Sequence, residues 1–127
     1  MLILPIEKQW FDMILSGGKK EEYREIKPYW TARFLKWLGF PKSEKADVLE
    51  LLRKMDTQKP REVLLRNGYS VSAPSFTAMC TLRIGTGKEE WGARLGQRYF
   101  ILTVHRILAE DTTDWRQQLM NRFERVR

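Results

Sequence analysis

The chain has 127 residues, and its 43% hydrophobic content fits one folded globular domain rather than a disordered tract. A net charge of +7 and a pI of about 9.8 favour an anionic partner, nucleic acid first among them, although charge alone leaves a merely basic protein equally open. One cysteine and one histidine exclude an internal disulfide and a Cys/His zinc site, and no apolar run approaches the roughly 20 residues of a membrane span.

These limits lead to the expectation of a soluble cytoplasmic protein that uses no metal and no cofactor. The opening MLILPIEKQWF turns charged at Glu7, so a secretory leader is not expected. Leu2–Leu4 reads as a short buried strand that Pro5 ends. Ile6, Trp10, Met13 and Ile14 then fall on one face of a helix, which Gly17-Gly18 stops. Lys19–Ile26 is expected to be extended, and Pro28 biases Lys27 the same way. Tyr29–Trp37 reads as a helix with Trp30, Phe34 and Trp37 or Leu38 on one face. GFPKS breaks it. Ser43 caps a further helix carrying Val48, Leu51, Leu52 and Met55, so residues 39–59 read as a helical insertion.

Beyond Pro60 the pattern becomes β-rich. Glu62–Arg66 is a strand followed by an Asn67-Gly68 turn. Phe76–Ile84 is a longer strand ended by Gly85-Thr86-Gly87, and Cys80 within it reads as a small core residue. Tyr99–Leu108 is another strand, with Tyr99, Ile101, Thr103 and His105 on one face and Phe100, Leu102, Val104 and Arg106 on the other. Asp111 or Thr112 can cap a last helix at about 111–124, with Trp115, Leu119 and Phe123 as its stripe. The expected fold class is α+β: a small, mostly antiparallel β-barrel with peripheral helices, in one domain.

Three stretches hold candidate chemistry. In an extended Lys19–Ile26, Lys20, Glu22 and Arg24 share one face, and Lys19, Glu21, Tyr23 and Glu25 the other. A carboxylate between two cations binds a polar ligand edge or is held ionised and poised; equally, it is a surface strand whose charges cancel. Arg66-Asn67-Gly68-Tyr69 offers an amide and a ring for the edge and face of an unpaired base, or an ordinary turn with a packed tyrosine. Lys88-Glu89-Glu90-Trp91-Gly92 supplies a possible acid or base, but reads better as a solvated acidic turn. His105 reads as structural, and the five tryptophans as core. No Walker A or GxGxxG motif is present.

The run WFDMILSGGKKEEYREIKPYWTARF resembles the N-terminal motif of ASCH-domain proteins, members of the PUA-like superfamily. LLRNGYSVSAP and GTGKEEWGARLGQRYFILTVHRIL resemble the second half of the same family, and the likeness spans most of Leu2 to Leu108. It implies a PUA-like barrel with a cleft beside the GGKK segment and RNA or nucleotide as partner. One branch of the family removes the acetyl group from acetylated cytidine through a motif Gly-x-Lys-x-x-Thr-x-Arg, and another is reported as a ribonuclease. Here Gly17, Lys19 and Arg24 match that motif, and Glu22 stands where it has threonine. A bulge or turn at the glycines is needed to bring Lys19 beside Glu22.

On this reading Lys19 and Glu22 carry any chemistry. Lys20, Tyr23, Arg24, Lys27, Arg66, Asn67 and Tyr69 contact the nucleic acid or nucleotide. The leading expectation is a nucleic-acid-binding module. A hydrolase of a modified nucleoside or of RNA comes second, and a non-catalytic regulatory interaction domain third.

Overall fold

A computed structural model of the protein describes residues 1–40 and 59–111. In chain order it runs β1 (Leu2–Ile6), α1 (Lys8–Leu15), β2 (Glu21–Glu25), α2 (Pro28–Trp37), β3 (Arg61–Asn67), β4 (Ser75–Thr86), a one-turn 3-10 helix (Glu89–Trp91) and β5 (Arg98–Asp111). The five strands form one mixed sheet in the order β1-β3-β4-β5-β2, curled into a half-barrel. β1 and β3 are parallel, and the other pairings are antiparallel. The fold is therefore α+β and barrel-like, and among the described residues β1 and β2 are the edges of the sheet.

Alternation on β4 and β5 builds the core. Phe76, Ala78, Cys80 and Leu82 point to one side of β4, and Phe100 and Leu102 join them from β5. Phe11 and Ile14 of α1 and Phe34 of α2 cover this face. Phe11 meets Phe76 at a ring-centroid separation of 5.0 Å, and Phe34 meets Phe100 at 5.0 Å. Tyr99 and Ile101, on the other face of β5, form a smaller cluster with Tyr23 and Ala93. Register shifts in the β4–β5 ladder at Thr77/Ala78 and Met79/Cys80 increase local twist, which lets so long a hairpin curl around the helices.

Several boundaries differ from those read in the sequence. Pro5 does not end β1, which continues to Ile6. The N and O of one strand residue point the same way, and the Pro5 carbonyl accepts from Arg24 of the other edge strand, β2, rather than from β3. Its missing N–H therefore faces the open edge, where no ladder bond is lost. α1 starts at Lys8, and β2 only at Glu21. Asn67-Gly68 is not a two-residue hairpin turn. Asn67 ends β3, its N–H donates to the Pro74 carbonyl at 2.8 Å, and Gly68–Pro74 forms a longer loop. β5 runs on to Asp111, so that residue closes a strand instead of capping a helix. The rest of the expected C-terminal helix, and nearly all of the expected 39–59 insertion, lie outside the described residues. Among the described residues no helix is long and apolar enough to cross a membrane.

Candidate binding cleft

The segment between α1 and β2 sets the site. Gly17 has a φ of 86°, a left-handed conformation that glycine adopts without a Cβ clash, and it stops α1. The chain then folds back, and the Lys19 N–H donates to the Met13 carbonyl at 3.0 Å. Lys19 thus precedes the strand and escapes its alternation. Carried back to Lys19, strict alternation would place it opposite Glu22 and Arg24. The turn brings it beside Glu22, with Nζ 3.2 Å from Oε1.

Within β2 the alternation holds. On one face the Tyr23 hydroxyl donates to Glu21 Oε1 at 2.8 Å and accepts the Lys88 N–H at 2.9 Å. Burial, reinforced by the Glu21 carboxylate, pushes this phenol up to about 12. On the other face Arg24 Nη1 donates to Glu22 Oε2 at 2.8 Å. Each carboxylate oxygen of Glu22 therefore holds one cation. Arg24 also donates through Nη2 to the Pro5 carbonyl at 2.6 Å, which ties the two sheet edges together.

Lys19 and Glu22 are only 2% and 4% exposed, which makes them an ion pair inside the fold. Desolvating such charges costs several kcal/mol per ion, so every partner matters. Lys19 Nζ also donates to the Trp91 carbonyl and sits 4.4 Å from the centre of the Trp10 ring. Burial lowers its pKa from the ordinary 10.5, against the opposing pull of Glu22. Trp91 is fixed in turn by its indole N–H, which donates to the Gly18 carbonyl at 2.9 Å. The one-turn helix at Glu89–Trp91 is thereby latched onto the Gly17-Gly18 turn.

Above this buried charge line opens a cleft of about 820 Å³, between the two sheet edges and the two helices. Trp10, Trp30, Tyr29 and Trp91 supply aromatic walls, and Arg33, Arg66 and Tyr69 also line it. The structure gathers Lys19, Glu22, Tyr23, Arg24, Arg66 and Tyr69 around one cavity. Lys20, Lys27 and Asn67 are not among its lining residues. Lys20 is exposed and its carbonyl accepts from the Val104 N–H at 2.8 Å. Lys27 is exposed and pairs with Glu25 at 2.7 Å. Asn67 belongs to the end of β3.

The aromatic side chains are where the sequence was legible only in part. Trp10, Trp30 and Trp91 are half-buried: they pack against the core clusters, as a core reading requires, but also line the cleft, as does Tyr29, expected only at the start of α2. Trp91 carried a usable signal: an indole between two glutamates and a glycine has no apolar stripe to join. Arg33 was missed as well. It lies four residues after Tyr29, one helical turn on, and its Nη1 donates to the Tyr29 hydroxyl at 3.1 Å.

Glu89 and Glu90 are exposed and do not line the cleft, as a solvated acidic turn requires. His105 is exposed on β5, 2.8 Å from the Thr81 hydroxyl. Burial pushes the Cys80 thiol up to about 12, which leaves it an inert core residue. Among the described residues no three His, Cys, Asp or Glu side chains are grouped to hold a metal ion.

In chemical terms, a ligand entering the cleft meets indole and phenol walls whose rings already carry cations, Lys19 at Trp10, Arg24 and Arg33 at Trp30 and Lys88 at Trp91. Beneath them, the polar floor is held rigid by its own hydrogen bonds. Compared with family models, with curated proteins and with solved structures, the chain finds no match.

Proposed function

We propose that the protein is a PUA-like ASCH domain whose cleft binds an unpaired nucleobase, within RNA or as a nucleotide. The observation that carries this proposal is the buried Lys19–Glu22–Arg24 line beneath walls of Trp10, Trp30 and Trp91. A buried ion triad is weak as a source of stability, because apolar side chains of the same volume often serve a fold as well. A rigid, charged floor under stacking surfaces instead suits a ring with donors and acceptors on its edge. The +7 net charge supplies long-range attraction to a polyanion. The test is fluorescence anisotropy with labelled single-stranded RNA across a salt series. Log affinity should fall linearly with log salt, and Trp30→Ala should weaken binding at every salt concentration. Absence of binding even at low salt would sink the proposal.

A second reading, hydrolysis of a modified nucleoside, draws on the lowered pKa of Lys19 next to Glu22. Lys19 would stabilise the developing oxyanion, or attack the acyl carbon as its C–N bond to the exocyclic amine breaks, and Glu22 would pass a proton to that departing amine. Binding ranks first because the amine is already committed to the Trp91 carbonyl, Glu22 and the Trp10 ring, so attack requires these contacts to break. Incubation with acetylated cytidine tests the alternative. Turnover should vanish in Lys19→Ala and Glu22→Gln, and full turnover in both variants would remove their catalytic roles.

A further inference from the structure

The cleft holds more positive charge than its floor neutralises. Lys19, Arg24, Arg33 and Arg66 face only Glu7 and Glu22, a surplus of two positive charges among the lining residues. Some cations elsewhere on the described surface have carboxylate partners within the fold. Lys8 meets Asp12 at 2.6 Å, Lys27 meets Glu25 at 2.7 Å and Arg83 meets Glu21 at 2.8 Å. Among the described residues no carboxylate pairs with Arg33 or Arg66.

Two of these guanidiniums share one wall, and Arg66 lines the same cavity. Arg24 and Arg33 lie 5.0 and 5.9 Å from the centre of the same Trp30 ring. Arg66 stands opposite Pro5 in the β1–β3 register, and the Pro5 carbonyl is the one Arg24 holds. The Nε–H of Arg24, of Arg33 and of Arg66 is in each case buried with no hydrogen-bond partner among the described residues. Buried donors are nearly always paired in native proteins. Arg61 Nη1, outside the cleft, is a fourth orphan, so it is the shared cavity that makes Arg24, Arg33 and Arg66 a place for an acceptor. The acceptor must be anionic and must present several oxygens, because a guanidinium donates in a planar fork.

We propose that Arg33 and Arg66, with Arg24 behind them, form a phosphomonoester subsite, so that the ligand is a nucleoside monophosphate or an RNA end carrying a terminal phosphate. This rests on the nucleobase reading above and adds the charged group to it. A phosphomonoester carries a charge of about −2 at neutral pH, which matches the surplus in the cleft, whereas an internal phosphodiester carries a single charge.

Isothermal titration calorimetry at fixed ionic strength tests the subsite. The probes are the four ribonucleosides, their 5′-monophosphates, inorganic phosphate, and one short RNA with and without a 5′-phosphate. At least one monophosphate should bind roughly ten-fold or more tightly than its nucleoside, the scale of one charge-assisted fork. Arg33→Gln and Arg66→Gln should abolish that preference, the monophosphate losing more affinity than its nucleoside in each variant. If a Gln variant fails to fold by circular dichroism, the Lys variant replaces it. Lys keeps the charge but loses the fork, so the preference should shrink without vanishing. The two RNAs separate an RNA end from a free nucleotide as the source of the phosphate.

Equal affinity for nucleoside and monophosphate overturns the subsite and leaves the nucleobase reading standing. Inorganic phosphate binding that Arg66→Gln removes, with no nucleoside or RNA bound, supports the subsite and sinks the nucleobase reading. Absence of binding by every probe overturns both.

Discussion

Glu22 holds two cations at once, Lys19 on Oε1 and Arg24 on Oε2, and this double duty makes it the most sensitive residue of the floor. Glu22→Gln strands a fully buried ammonium beside a half-buried guanidinium. Urea denaturation should show a loss of about 3 kcal/mol, the lower end of the cost of breaking a buried pair. Lys19→Met combined with Glu22→Gln should lose less than the sum of the two single changes, and strict additivity would show that the pair is not coupled. Lys19 and Tyr23 also imprint themselves on alkaline stability, with opposite signs. The lowered Lys19 pKa means the native state sheds its proton first, so this contribution grows with pH up to 10.5. Tyr23, raised from 10.0 to about 12, contributes stability that is full below pH 10.0 and lost towards about pH 12. Above 10.5 only the Tyr23 loss remains of the two. Stability measured against pH should therefore turn down there in the native protein and fall less steeply in Tyr23→Phe. An unchanged slope would show that the Tyr23 environment has been misjudged.

At the scale of elements, the one-turn helix Glu89–Trp91 closes the site by pressing Gly92 against Trp10. Gly92 has a φ of 100°, and a Cβ placed there would lie 3.1 Å from Trp10 Cζ2. Gly96 has a φ of 77° and open space around it. Both Gly→Ala variants should lose the roughly 1–2 kcal/mol of left-handed strain. Gly92→Ala should lose more, and a matched loss in thermal melts would show that Trp10 yields freely. The same elements show what was legible beforehand. α1, α2, β4 and the start of β5 were readable because one apolar face each fixes their period. The approach of Lys19 to Glu22 was not given by any period. It depends on a left-handed Gly17 turn, which local charge pattern does not encode. Asn67-Gly68 misled because its turn preference is local, whereas Gly68 donates its N–H to the Ile6 carbonyl of a neighbouring strand. The tryptophans were half legible: they do pack on the core, but helical spacing does not show that an open cleft also lies against Trp10 and Trp30.

For the whole molecule, the sheet order leaves β1 and β2 as edges and places β4 and β5, the longest strands, inside. Hydrogen exchange should be slowest in the β4–β5 ladder and faster in both edges. Arg24→Lys removes the fork that reaches both Glu22 and Pro5, so it should speed exchange in β1 and β2 together. Acceleration in β2 alone would show that the edges are not coupled through this side chain. The half-barrel was legible only as a barrel, because closure depends on pairing between the first and last edges, and no strand pattern reports that. An open sheet edge is also a template on which a foreign strand can add and begin a fibril. Pro5 presents no donor at that edge, and Arg24 lies over its carbonyl. The arginine that shapes the floor of the cleft thus also guards the protein against self-association through this edge strand.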